Sequence, residues 1–263
     1  MAAQVCLRAT AFTHQGAARA SHEDTVAVGD WIASAPMAAP AAFQHTLAEP
    51  LICLVADGMG GHAAGEVASR AVAEHLCRRA AEATDDAAIA KLLHEANAEL
   101  FALMDERPAW YGMGTTVAGV AVAPSGVIAF NVGDSRVYGI KADGLVQLST
   151  DDTPGPKLPD GRAAVYTSSI ITQALGGYGP DAPGEQIVPH VLSGPLADGA
   201  RYLICSDGLT DMLAPAAIEA LLDEDDRASV QALFEAAMAR GGDDNVSLLL
   251  LRVRRSFESA ATP

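Results

Sequence analysis

Five short segments set an aspartate in a turn-prone stretch, four of them beside glycine or asparagine. They are Ser21-His22-Glu23-Asp24, Asp57-Gly58-Met59-Gly60-Gly61-His62, Gly133-Asp134-Ser135-Arg136, Ser206-Asp207-Gly208 and Asp243-Asp244-Asn245. Aspartate is short and stiff, so at a strand end the sheet sets the position of its carboxylate. A neighbouring glycine lets a backbone carbonyl approach a cation with no Cβ in the way. Ligands that are all oxygen favour Mg²⁺ or Mn²⁺ over zinc. Taken singly, each segment reads as a turn, because Asp-Gly is common there. Their repetition is what points to cations.

Other chemistries fit less well. None of the four cysteines (Cys6, Cys53, Cys77, Cys205) has arginine six positions on, which excludes a C-x₅-R thiolate nucleophile, and no CxxC pair suggests zinc. Cys53 and Cys205 sit in apolar runs and read as buried thiols. Gly58 to Ala63 fits GxGxxG/A after an apolar strand, but Asp57 would then face a pyrophosphate, and no chain of βαβ units follows. The acidic run from Asp223 to Asp226 lacks the glycine and terminal glutamate of a calcium loop. It reads as a solvated helix end and loop.

The elements that must carry these aspartates come next. Aliphatic and β-branched runs predict strands at about Leu51–Ala56, Thr116–Ala123, Val127–Val132, Arg136–Ile140, Arg201–Cys205 and Val246–Val253. Pro124-Ser125-Gly126 and Gly133-Asp134-Ser135 join the middle three as an expected antiparallel meander. Helical spacing predicts helices over Glu66–Ala83, Ala87–Met104 and Val230–Ala239. The Ala/Pro-rich stretch 33–42 reads as a surface loop. Antiparallel strands with segregated helices predict an α+β layered fold.

The 263 residues suit one domain spanning 1–263, with an aliphatic core, since only 5% of the residues are aromatic. Thirty-three acidic against seventeen basic residues leave a formal charge of −16, which argues against nonspecific nucleic-acid binding. No apolar run is long enough to span a bilayer and the first residues lack a leader pattern, so no membrane partner and a cytoplasmic location are expected.

Seven ordered blocks carry a resemblance. They are Gly16, Arg19 and Glu23-Asp24; DGMGGHAAGEVAS from Asp57 to Ser69; GMGTT at Gly112–Thr116; GDSR at Gly133–Arg136; ITQALGG at Ile171–Gly177; SDGLTD at Ser206–Asp211; and GGDDNVS at Gly241–Ser247. Their order and spacing resemble the type 2C metal-dependent serine/threonine protein phosphatases, in their bacterial single-domain form. The resemblance implies a four-layer α-β-β-α sandwich, two antiparallel sheets flanked by helices, with the metals at one end. It makes Asp57 the carboxylate bridging two Mn²⁺ or Mg²⁺ ions, with the Gly58 carbonyl, Asp207 and Asp244 completing the ligands and Asp24 acting through water. Arg19 matches the arginine that grips substrate phosphate, and Asp134 with Asp207 matches the place of a third, weaker ion. His62 is the nominee for protonating the leaving oxygen; its other reading is a polar loop residue capping the helix near Glu66.

The implied reaction is hydrolysis of phosphoserine and phosphothreonine on proteins by a water activated between two cations, with no protein nucleophile. Its partners would be phosphorylated proteins and an opposing serine/threonine kinase. The chain departs from the pattern at His22, where asparagine is usual, and at Thr150-Asp151-Asp152-Thr153, where Asp-His-Ser is usual. The stretch 151–168, matching a flap beside the active site, is short and rich in Pro and Gly. The alternative is a catalytically silent phosphoprotein-binding relative, whose signature would be lost metal aspartates.

Overall fold

The computed structural model describes residues 4–60, 64–154, 170–177 and 187–256. His62 and most of the stretch 151–168 lie outside the described residues. In chain order come β1 (Gln4–His14), β2 (Asp24–Val28), β3 (Trp31–Ala33), β4 (Ala41–Leu47) and β5 (Leu51–Met59), then helices α1 (Gly65–Arg78) and α2 (Asp86–Glu106). β6 (Gly114–Thr115), β7 (Val117–Ala123), β8 (Gly126–Val132), β9 (Arg136–Lys141), β10 (Gly144–Gln147), β11 (Leu175–Gly176), β12 (His190–Gly194) and β13 (Arg201–Cys205) follow. Short helices α3 (Asp207–Thr210) and α4 (Pro215–Glu219), the longer α5 (Asp226–Met238) and β14 (Val246–Ser256) close the fold.

Two antiparallel sheets form, one in the order β10-β9-β13-β14-β1-β4 and the other in the order β11-β6-β5-β7-β8-β12, with β2 and β3 added beside β5. Period-two alternation explains how they stack. Leu249, Leu251 and Val253 of β14 face Cys53 and Val55 of β5 and Ala118 and Val120 of β7 in a core between the sheets. The intervening residues point the other way. Leu248 and Leu250 meet Leu209, Ile218, Val230 and Leu233 of the C-terminal helices, while Ile52 and Leu54 meet Leu76 of α1 and Leu92 and Leu93 of α2. Three cores separate four layers, α-β-β-α, as the resemblance implies.

Local chemistry sets the helix limits. Asp85 caps α2 by accepting from Ala88 N–H at 2.8 Å, and Asp225 caps α5 by accepting from Arg227 and Ala228 N–H. The expected helix over Glu66–Ala83 ends at Arg78, and a separate 3₁₀ turn covers Ala80–Glu82.

Several expectations are corrected. β9 does not continue a meander. It pairs with β10 and β13 in the other sheet, because Gly133 turns the chain at φ +98°, where an added Cβ would lie 2.6 Å from the Thr116 side chain. The Ala/Pro-rich loop is shorter than expected, since Ala33 ends β3 and Ala41 opens β4. Strands β1 to β4, β6 and β10 to β12 were not expected; they are short, polar-interrupted or rich in alanine. The acidic run is exposed from Asp223 to Asp225, as expected, while Asp226 is partly buried in ion pairs with Arg201 at 2.8 Å and Arg252 at 3.0 Å.

Cys53, Cys77 and Cys205 are buried and Cys6 partly so, all as free thiols. Burial first, then Asp207 nearby, push the Cys205 thiol up to about 12 against the lowering charge of Arg136, which leaves it unreactive near neutral pH.

Leu249→Ala, at a fully buried position between the sheets, is expected to cost about 2–5 kcal/mol of stability. Leu192→Ala, on a half-exposed side chain, should cost roughly 0.5 kcal/mol or less; urea unfolding midpoints check the contrast.

Candidate metal centre

Strand register brings the sequence-distant aspartates to one end of the sandwich. Asp24 opens β2 directly opposite Asp57 of β5. Asp207 follows β13, Asp244 precedes β14, and these two strands are neighbours. Asp134 lies in the crossing from β8 to β9. Arg19, Asp57, Gly58, Asp207, Asp211 and Asp244 line a cleft of about 370 Å³.

Close backbone approach demands glycine here. A Cβ on Gly58 would lie 2.3 Å from the Gly65 carbonyl oxygen and 2.5 Å from that of Glu23. One on Gly208 would lie 2.0 Å from the Asn245 carbonyl oxygen. No side chain fits at either place, so the aspartates beside them sit on tightly packed backbone.

Neutral side chains then fix the carboxylates. The Asp57 carbonyl accepts from Thr116 N–H and from the Thr115 hydroxyl, each at 2.9 Å. Ser206 Oγ donates to Asp24 at 3.0 Å and accepts from Ser247 N–H at 3.1 Å. Asn245 is the joint of the site: its Oδ1 accepts from Glu23 N–H at 2.7 Å, and its Nδ2 donates to the carbonyls of Gln15 at 2.9 Å and Ser21 at 3.1 Å. The segment that carries Arg19 and Asp24 is thereby tied to the turn that carries Asp244.

The electrostatics are those of acids crowded together. Burial, with Asp207 and Asp244 nearby and partly offset by hydroxyl bonds from Ser247 and Ser206, raises Asp24 to about 7. Burial, followed by the charges of Asp24, Asp207 and Asp244, pushes Asp57 well above the usual carboxylate range. Asp207 rises to about 6 through burial and Asp244, against a lowering hydrogen bond with Asp57. Asp134 rises to about 7 through burial and Asp207. Each is a carboxylate whose charge lacks compensation. The guanidinium of Arg19, 58% exposed, answers part of this by pairing with Asp244 at 2.5 Å. That hydrogen bond is the main reason its own pKa rises.

Oδ1 of Asp24, Asp134 and Asp207 are all buried with no hydrogen-bond partner. Buried oxygens facing like charges are costly unless a cation satisfies them, so the residues fit divalent metal. Among the described residues no three His, Cys, Asp or Glu side chains close into a ligand cage. Mg²⁺-like ions take one or two carboxylates and keep several waters, so an open set of carboxylates is compatible with them.

Asp57, Gly58, Asp207, Asp244 and Arg19 thus meet in the cleft, and Asp24 is packed behind Asp57. Asp134 is not among the lining residues and faces Asp207 from the side. His22 lies within the wall: its Nε2 is 3.0 Å from Thr13 Oγ1, which is 2.6 Å from Ser247 Oγ. Burial, then His14, lowers it to about 4, so it is neutral there. The sequence reading assigned no role to Asn245, Asp211, Ser206 or the Thr115-Thr116 pair. Asp211 had a signal, four residues after Asp207 on one helical turn; the others act through contacts more than 40 residues away in sequence, or through adjacent strands.

A family model described as protein phosphatase 2C matches residues 39–250. The serine/threonine protein phosphatase PstP of Mycobacterium tuberculosis is 31% identical over 258 residues, covering 94% of this chain and 45% of PstP, so the chain spans less than half the length of that relative. The serine/threonine phosphatase stp of Listeria innocua is 32% identical over 225 residues, covering 80% of this chain and 86% of stp. The crystal structure of the PstP catalytic domain in complex with two manganese ions superposes with a TM-score of 0.76 at 30% identity, covering 95% of this chain and 99% of that one. With its layered fold, its aspartate cleft and these likenesses in agreement along most of its length, the chain belongs to the protein phosphatase 2C family.

Proposed function

We propose that this chain hydrolyses phosphoserine and phosphothreonine on proteins with two Mn²⁺ or Mg²⁺ ions. The observation that carries the reading is the cluster of buried, uncompensated carboxylates beside one exposed arginine. Carboxylates alone would repel a phosphate dianion, so such a cleft suits phosphate only together with cations. The substrate class is supported by the serine/threonine phosphatases of M. tuberculosis and L. innocua that the chain resembles, and the metal by the manganese complex of PstP. Phosphorylated proteins and an opposing kinase follow as partners. Among the described residues no helix is long and apolar enough to cross a membrane.

Asp57, the Gly58 carbonyl, Asp207 and Asp244 would hold the two cations, Asp24 would act through water, and Asp134 with Asp207 would take a third, weaker ion. Bound divalent cations supply Lewis acidity, which makes hydroxide available near neutral pH and neutralises phosphoryl oxygens. The chain's own contribution is placement. The β2–β5 register seats Asp24 behind Asp57, and the two threonine bonds hold the Asp57 backbone. Arg19 stands over the carboxylates with a planar fork of donors suited to two phosphoryl oxygens. Its bond to Asp244 keeps it aimed into the cleft.

Release of phosphate from a phosphothreonine peptide should require Mn²⁺ or Mg²⁺ and stop with chelator, and Asp57→Asn should lower kcat/KM on the order of 10²–10³-fold or more. Absence of turnover with any divalent cation overturns the reading. Arg19→Lys keeps the charge and loses the fork, so the peptide KM should rise about tenfold in steady-state assays.

Asp134 also has a pH signature. Its folded pKa, about 7, lies above the ordinary value of 3.8, so its protonated form favours folding. That contribution is present below pH 4 and lost as pH rises through 7. In chelator, the melting temperature of the native protein relative to Asp134→Asn should therefore fall between pH 5 and pH 8; a flat difference would show that Asp134 is not crowded in the folded state.

A further inference from the structure

Asp152 stands in the stretch that departs from the phosphatase pattern, and the cation chemistry makes no use of it. Its carboxylate is 11% exposed. It takes three donors at 2.8 Å each: Gly133 N–H and Gln173 Nε2 on Oδ2, and His190 Nε2 on Oδ1. Its backbone adds two bonds, donating to the Gly133 carbonyl at 3.1 Å and accepting from Thr172 N–H at 2.7 Å. Gln173 extends the link, because its side-chain amide pairs with both the N–H and the carbonyl of Val188 at 2.9 Å.

One carboxylate thus joins three pieces of chain: the turn that carries Asp134, the stretch 170–177, and the start of β12. That stretch carries Ile171, a wall of the cleft. Its C-terminal half is tied by the two-residue β11–β6 ladder. Its N-terminal half, next to Ile171, is held to Asp152 at Thr172 and Gln173. Ile171 is apolar and, with Met59, supplies the large apolar side chains of a cleft whose other walls are mostly acids with Arg19. It therefore suits the peptide that flanks a phosphorylated side chain more than the phosphate.

We propose that Asp152 is a positioning residue that seats the Ile171 wall against the Asp134 turn and so sets the grip on the substrate peptide. The inference rests on the phosphatase reading above. A carboxylate accepts at both oxygens, and the carboxamide of asparagine can reproduce the set: its oxygen takes Gly133 and Gln173, and its NH₂ donates to His190 in the other tautomer. Alanine leaves all three donors without this partner.

The test compares native protein, Asp152→Asn and Asp152→Ala. In Asp152→Ala the KM for a phosphothreonine peptide should rise about tenfold, the scale of one lost hydrogen bond to a charged group, with kcat and the Ki of inorganic phosphate little changed. Asp152→Asn should restore the native KM. Hydrogen exchange should speed up over residues 170–177 in the alanine variant alone. An unchanged peptide KM, or a phosphate Ki that rises in step with it, overturns the proposal. Failure of the native protein to turn over any phosphopeptide would sink the phosphatase reading and the peptide-grip part with it. The exchange comparison would still decide whether Asp152 seats the wall, and equal exchange in all three proteins would refute that.

Discussion

Asp24, Asp57, Asp207 and Asp244 are brought together at one end of a β sandwich, where burial and the like charges around them raise the pKa of Asp24, Asp57 and Asp207. Left to themselves these side chains would swing apart or open the strand ends to solvent. What prevents this is a neutral scaffold: hydroxyls of Ser206, Thr115 and Thr116, the amide of Asn245, and glycines where the backbone leaves no space for a Cβ. The crowding is what makes the site useful, because buried oxygens without partners are the groups a divalent cation would satisfy.

Such a cluster needs a stiff support, and the four layers provide one. Two sheets locked through a shared aliphatic core cannot slide without moving every alternate side chain out of register. β13 and β14 lie side by side in one sheet and β2 and β5 in the other. Stacking the sheets therefore lays the Asp207–Asp244 pair against the Asp24–Asp57 pair, and the cleft lies where the two sheets meet at their ends. The outer helices shield the remaining apolar faces and take no direct part apart from α3, whose first residue is Asp207.

Motifs were legible wherever chemistry demands a residue type at a fixed local spacing. Asp-Gly at position 57 falls near the end of β5, and Gly-Asp at 133 and Asp-Asn at 244 fall between elements, as their composition suggested, whereas Asp-Gly at 207 opens the short helix α3 just after β13. Strands with continuous aliphatic runs, such as β8 and β13, were legible for the same reason. β1 escaped because alanine and threonine dilute its alternation, although Val5, Leu7, Ala9 and Ala11 do line one core. β6 and β11 are two residues each and exist only because they pair with one another and with the end of β5. The sheet change at Gly133 was hidden because a hairpin turn and a crossing use the same residues; packing against Thr116 decides between them.

The sequence by itself determined the chemical make-up of the proposed site, carboxylate oxygens with one arginine, and the layered α+β class, because both follow from residue type and short-range periodicity. Only the tertiary structure decided which aspartates face one another and which side chains hold them. Arg19 meets Asp244 across more than 200 positions, and Asn245 reaches back to Glu23. Distances of that kind are set by strand order and sheet stacking, cooperative properties of the whole core that no local window of sequence contains.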